Sequence, residues 1–231
     1  MEPLARVPPS REYHFVAEKM NFKVTVTLRA STVERWIRGV KKKFLDAAPI
    51  KCVGLDCEFT DPVPSVLQRE LPPDDRQRAA VLQLSMASET LVFQICRADA
   101  VPQLLKEFLR DKTIQFCGAA IHNDLRMLRQ YGIEISSAVD LQKAIPNPTN
   151  NTIPILYALA NATIGTNLEK KKKGKADVED DQIFGWGDVP LSFDQVKYAA
   201  LDARLGFDIG RRHWNLHGYN SHVDRLNVVD E

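Results

Sequence analysis

The chain is short of most features that would place it quickly. It has almost no net charge, with 31 Lys and Arg against 30 Asp and Glu. The molecule as a whole therefore exerts no pull on a polyanion, and any such attraction must come from local patches. No apolar run approaches the length of a membrane span, so no membrane role is expected. The opening stretch "MEPLARVPPSREYHF" lacks the apolar segment of a secretory leader. Cysteines number only four, at positions 52, 57, 96 and 117. No two have metal-type C-x-x-C spacing, and three fall in apolar, strand-like runs. They read as reduced core residues of an intracellular protein, in nucleus, cytoplasm or both. The Asn-x-Thr triplets at Asn150 and Asn161 then carry no glycan. No internal repeat is present.

What is there is an ordinary globular composition, 44% hydrophobic and 26% charged over 231 residues, which suits one domain with an extension. After a Pro- and Arg-rich start, "EYHFVAE" and "FKVTVTL" alternate apolar and polar residues, and with Asn21 between them they predict a β-hairpin. Ser31 or Thr32 is placed to cap a helix through Trp36, Ile37 and Phe44. "IKCVGLDCEF" reads as a strand. A Pro-containing loop leads to "AAVLQLSM" and "TLVFQIC", joined by a tight turn at "ASE". "VPQLLKEFLRD" has helical spacing, "TIQFCGAAI" is a strand, and "NDLRMLRQYG" is a helix closed by Gly132. Short helices follow at "VDLQKAI" and "TIPILYALA", and the last long helix starts at Ser192. The order predicts an α/β fold with a mixed sheet.

Within "VGLDCEF", Asp56 and Glu58 interrupt an apolar run. Residues two apart on a strand share a face, so the two carboxylates project together. Like charges side by side need a shared proton or a cation, unless the strand end is exposed and the acids are merely solvated. Acid-x-acid triplets also arise by chance in a chain with 30 acids. The preceding run "IKCVGL" argues for a central strand, and α/β sites commonly sit at the carboxyl ends of such strands. Asp124, in "GAAIHNDLRML", begins a helix after an apolar strand. Either it joins the other acids or it only serves the helix N-terminus. In "VPLSFDQVKYAALDARLGF", Ser192 and Gln195 have capping-box spacing, and Leu191 and Val196 are placed as a hydrophobic staple. Tyr198 and Asp202 then fall on one helical face, either as site residues or as a buried hydrogen-bonded pair. Ala199, Ala200 and Ala203 let that helix approach the sheet closely.

Together these stretches resemble the DEDD 3′-5′ exonucleases of the branch with a tyrosine in the third motif, as in ribonuclease D and Werner-syndrome-type exonucleases. The matching segments are "GLDCEF", "AAVLQLS", "FCGAAIHNDLRML", "VDLQKA" and "GWGDVPLSFDQVKYAALDA", within residues 33 to 216. The resemblance implies a ribonuclease H-like fold, a five-stranded mixed sheet flanked by helices. Here that fold carries an N-terminal β-hairpin extension. The expected division is a tail and hairpin over 1–30, the exonuclease domain over 31–217 and a tail over 218–231. It implies phosphodiester hydrolysis from the 3′ end of DNA or RNA, with release of 5′-nucleoside monophosphates. The cofactors would be two divalent cations, Mg²⁺ or Mn²⁺, about 4 Å apart. Asp56 would bridge both, Glu58 and Asp202 would hold the one carrying the attacking water, and Asp124 would support the other. Tyr198 would orient the water, because a phenol of ordinary pKa near 10 is a poor base at neutral pH.

The resemblance places Phe59 beside the terminal nucleotide, with core packing as the alternative, and His122 near a phosphate, with a structural role as the alternative. Two basic clusters could guide a strand: Arg35, Arg38 and Lys42 on one helical face, and Lys170, Lys171, Lys172 and Lys173 in the loop before the third motif. Solvated surface is the plain reading of both. The partner is then nucleic acid, as a single strand or the 3′ end of a duplex. The chain holds little besides the nuclease, so affinity would come from the domain itself, a protein partner or self-association. The N-terminal hairpin would either extend the sheet or form a subunit contact through its free edge. A catalytically silent nucleic-acid-binding or scaffold module on the same fold is the competing function. Loss of a site acid would support it, and none is lost.

Overall fold

The structure, a computed structural model, describes residues 7–18, 20–60, 77–169 and 185–216. The strands are β1 (Arg11–Ala17), β2 (Met20–Thr27), β3 (Lys51–Thr60), β4 (Arg78–Met86), β5 (Glu89–Phe93), β6 (Ile114–Gly118) and β7 (Ala138–Asp140). The main helices are α1 (Ala30–Val40), α2 (Gln103–Arg110), α3 (His122–Leu128), α4 (Leu141–Ala144), α5 (Leu156–Ile164) and α6 (Phe193–Leu216). All seven strands form one mixed sheet in the order β1-β2-β5-β4-β3-β6-β7.

The expected five-stranded sheet is present as β5-β4-β3-β6-β7. The N-terminal hairpin extends it, because β2 pairs in parallel with β5 and covers its edge. The hairpin turn lies elsewhere than expected. Glu18 takes a left-handed φ of 54°, and Asn21 sits inside β2 opposite Val16. This register puts Phe15 opposite Phe22, both buried, and burial of that pair outweighs the turn propensity of Asn21. β4 reads "RAAVLQLSM" because it is central and covered on both faces, with Ala79 through Met86 all buried.

Helices cover both faces. α1 buries Val33, Trp36, Ile37 and Val40 at helical spacing. Its first N–H groups are not served by Ser31 or Thr32. The Ala30 N–H donates to Asp99 Oδ1 at 2.7 Å, and Thr32 Oγ1 instead hydrogen-bonds Ser10 Oγ at 3.0 Å. The side of β6 that carries Phe116 meets α2 through Phe108, whose ring lies 5.7 Å away and edge-on, and α1 packs on α2 in the same layer. The opposite face, carrying Gly54, Asp56 and Glu58, is covered by α6, with α5 packed beside it. Asn161, a candidate glycan acceptor in sequence, spends its side-chain amide on Leu168 and Thr166. All four cysteines are free. No described helix is long and apolar enough to cross a membrane.

Candidate active site

The site is built where α6 crosses β3. The phase of α6 is set by its first turn. The Ser192 N–H donates to Gln195 Oε1 at 2.9 Å, and the Gln195 N–H donates back to Ser192 Oγ at 3.1 Å. Leu191 and Val196 are both buried, as a staple requires. The helix then comes almost into backbone contact with the sheet. A Cβ at Gly54 would collide with the Ala203 carbonyl and lie 2.5 Å from the Phe207 nitrogen. A Cβ at Gly206 would lie 2.8 Å from the Cys117 carbonyl oxygen. With Gly54 two residues before Asp56 and Ala203 next to Asp202, this close crossing delivers the Asp202 carboxylate to the strand acids. One oxygen from each of Asp56, Glu58 and Asp202 lies within 4.8 Å of the others. Beyond Glu58 the β3–β4 register shifts: Glu58 pairs Val81 and Phe59 pairs Ala79. The acids therefore stand beside a bulge, a common device for aiming side chains.

The second contribution comes from the end of β6. A Cβ at Gly118 would lie 2.5 Å from the Leu55 carbonyl oxygen, so only glycine fits there. Ala120 follows with a left-handed φ of 54°, and its N–H donates to Asp140 Oδ1 at 3.2 Å. That turn feeds α3 and buries Asp124, which is 4% exposed. Asp124 lies outside the 4.8 Å group of three acids, yet its charge still raises the Asp56 carboxyl.

Electrostatically the cluster is uncomfortable. Burial, then Glu58, Asp202 and Asp124 in turn, push the Asp56 carboxyl well above the usual carboxylate range. Burial, reinforced by Asp140, pushes Asp124 up to about 8. Tyr198 is raised by burial first and by Asp202 next, so its hydroxyl keeps its proton. The donor set is all oxygen and repels itself, which is the environment a hard divalent cation relieves. The residues fit such an ion.

The remaining expected contacts separate. Phe59 is half-buried and packs against the core on one side. His122 opens α3 with an exposed ring, its Nδ1 3.8 Å from Asp140 Oδ2. Arg35 and Arg38 belong to the α1–α2 layer, across the sheet from Asp56. Lys170 to Lys173 lie outside the described residues.

Two side chains went unnoticed in sequence. Tyr157, on α5, stands close enough to the site for its hydroxyl to be raised by burial first and by Asp202 next, as that of Tyr198 is. Asp140 is the acid nearest in influence to Asp124, and it caps α4 by accepting from the Gln142 N–H at 3.1 Å. Its Asp-x-x-Lys setting before a short helix gave a capping signal only. Tyr157 gave none, since a tyrosine in an apolar helix reads as core.

The sheet order, the covering helices and the acids on the central strand define a ribonuclease H-like fold of the exonuclease type. The catalytic core of RRP6 from Trypanosoma brucei superposes with a TM-score of 0.63 at 15% identity, over 94% of this chain and 52% of that one. The Nibbler EXO domain of Aedes aegypti gives 0.60 at 14%, over 87% and 92%. In sequence, the mouse bifunctional 3′-5′ exonuclease/ATP-dependent helicase WRN is 31% identical over 183 residues, 78% of this chain and 12% of that protein. The chain thus spans a small part of that relative's length. A family model described as a 3′-5′ exonuclease matches residues 27–212. The chain belongs to the 3′-5′ exonuclease domain family, as the sequence motifs implied.

Proposed function

We propose that this chain is a metal-dependent 3′-5′ exonuclease that hydrolyses phosphodiester bonds of DNA or RNA and releases 5′-nucleoside monophosphates. The observation that carries this reading is the convergence of Asp56, Glu58 and Asp202 within 4.8 Å in a chain of this family. Asp56, Glu58 and Asp202 would hold Mg²⁺ or Mn²⁺, and Asp124 would support a second ion. When bound, two such ions activate a water and carry charge on the attacking and leaving oxygens.

The chain's own residues supply the rest. The α6–β3 crossing fixes the carboxylates before substrate arrives, so little reorganisation is needed at the moment of reaction. Tyr198 is 36% exposed and stays protonated, which suits it to donate a hydrogen bond and orient the nucleophile rather than to act as a base. Trp186, its ring 6.3 Å from that of Tyr198, is pinned by the Gln94 amide, which donates to the Trp186 and Asp188 carbonyls. His122, Phe59 and the 170–173 lysines are assigned to the incoming strand. Four free thiols support a reducing compartment, nucleus or cytoplasm. β1, at the end of the strand order, is where a second copy would add.

The test gives wild type and Asp56→Ala 3′-tailed duplexes and single strands of DNA and RNA with Mg²⁺, Mn²⁺ or EDTA. Stepwise shortening from the 3′ end is expected with metal and wild type only. Retained binding without shortening of any substrate would overturn the reading in favour of a silent binding module.

A further inference from the structure

The middle of β4 carries a side chain that core packing alone does not account for. Gln83 is 0% exposed, and neither its Nε2 nor its Oε1 has a hydrogen-bond partner among the described residues. Burying a carboxamide with both ends unpartnered is costly, and a methionine of similar length would fill the space without that cost. The sheet register fixes what the amide faces. Gln83 is the Cα partner of Asp56 on β3 and of Val92 on β5. Directly opposed residues on neighbouring strands point to one face, with Cβ atoms about 5 Å apart. Gln83 therefore lies on the α6 side of the sheet, in the row of Asp56, with Glu58 one diagonal step away opposite Val81. Two hydroxyls nearby on that face are spent on each other, Ser85 Oγ lying 2.9 Å from Thr90 Oγ1.

A carboxylate that ligates a cation through one lone pair keeps others, and the donor that meets them sets its orientation. The Gln83 amide carries two N–H donors on a chain long enough to span a cross-strand pair. Val92 on its other flank offers it nothing polar. From its register, its burial and its unspent hydrogen-bonding capacity, we infer that Gln83 is a positioning residue of the acid site: its amide donates to the Asp56 carboxylate when a cation is bound and holds that acid in the ligating orientation. This rests on the metal-dependent reading above. The amide starts from a rigid base, because β4 is central in the sheet and buried from Ala79 through Met86. Stability and function are opposed at this position. An apolar side chain would make the fold firmer and hold the ion less well.

The experiment titrates Mn²⁺, without nucleic acid, into wild type, Gln83→Met and Leu84→Met, following free Mn²⁺ by electron paramagnetic resonance. Methionine keeps an unbranched side chain and removes both polar ends of Gln83. Leu84, the next residue of β4, is equally buried but points to the other face, so its variant reports repacking of the strand alone. The Mn²⁺ dissociation constant of Gln83→Met should rise about tenfold, the scale of losing a group that orients a ligand, with Leu84→Met within twofold of wild type. Metal-free Tm should be higher for Gln83→Met than for wild type, which separates weaker binding from unfolding. A dissociation constant for Gln83→Met within twofold of wild type would overturn the inference, and so would an equal rise in Leu84→Met. A lower metal-free Tm for Gln83→Met would overturn it too, since the amide would then be satisfied within the fold itself. Failure of all three proteins to bind Mn²⁺ would defeat the metal-dependent reading, a result distinct from equal binding by all three.

Discussion

Two acids on α6, Asp202 and Asp208, live under opposite rules. Asp202 faces Asp56 and Glu58, like charge against like charge, in a half-buried cleft. Asp208, 3% exposed, faces opposite charge. Arg204 Nε donates to its Oδ2 at 2.6 Å, Arg204 Nη2 reaches Oδ1 at 3.3 Å, and Arg211 Nη2 stands 3.5 Å away. The Arg204 guanidinium also donates to the Ala87 carbonyl and lies over the rings of Phe22 and Phe207 at 5.6 and 5.7 Å. The second cluster neutralises itself and ties α6 to the β4–β5 turn. The first is kept in place only because that tie and the Gly54 crossing hold the helix down. The structural pair thus fastens the scaffold on which the repelling acids are displayed.

That contrast is open to attack from both sides. The largest effect is expected for Asp56→Asn, which removes the central carboxylate. Its rate with Mn²⁺ and a 3′-tailed oligonucleotide should fall by on the order of 10³-fold, with the fold intact by circular dichroism. Asp208→Ala should do the reverse. It strands the Arg204 charge in the core and should cost about 3–5 kcal/mol in urea unfolding, while the molecules that remain folded keep their activity. Gly54→Ala strikes the link between the clusters. Its methyl meets backbone on α6, which has no rotamer with which to yield, so stability should fall by about 1–3 kcal/mol and kcat with it. Gly39→Ala, with nothing within 4 Å of its Cβ, is the control that should leave kcat unchanged.

The smallest effect concerns pH. The Asp124 carboxyl is raised from 3.8 to about 8 in the fold, so the folded protein binds the extra proton that the unfolded chain has released. Metal-free stability should therefore fall as pH rises between those two values. Asp124→Asn lacks this loss. Its Tm should match wild type near pH 4 and exceed it increasingly as pH rises towards 8. Identical Tm differences at both pH values would show that the Asp124 carboxyl is not held protonated.

The same contrast marks what the sequence could disclose. Asp56 and Glu58 were legible because strand periodicity puts them on one face, and Tyr198 and Asp202 because the Ser192–Gln195 capping box sets the helix phase. Arg204 and Asp208 were equally well spaced on that helix. Their burial depends on the Ala87 turn and on Phe22, neither of which is local to them. Tyr157 and Asp140 feel the charge of acids 45 and 16 positions away respectively, so neither α5 nor β7 carries a local sign of that proximity. The hairpin shows the opposite failure. Asn21 offered a strong local turn signal, and the pairing of Phe15 with Phe22 overrode it. The helix cap supplied to Ala30 by Asp99 was likewise out of reach of any local pattern.

The most direct measurement is the melting temperature of wild type and Asp56→Asn at pH 8, with and without Mn²⁺. The account predicts that, without metal, Asp56→Asn melts higher than wild type, because a repelling charge is gone. It predicts that Mn²⁺ raises the wild-type Tm and leaves Asp56→Asn unchanged, reversing the order. Equal Mn²⁺ shifts in both proteins, or none in wild type, would contradict the claim that these acids form a cation site.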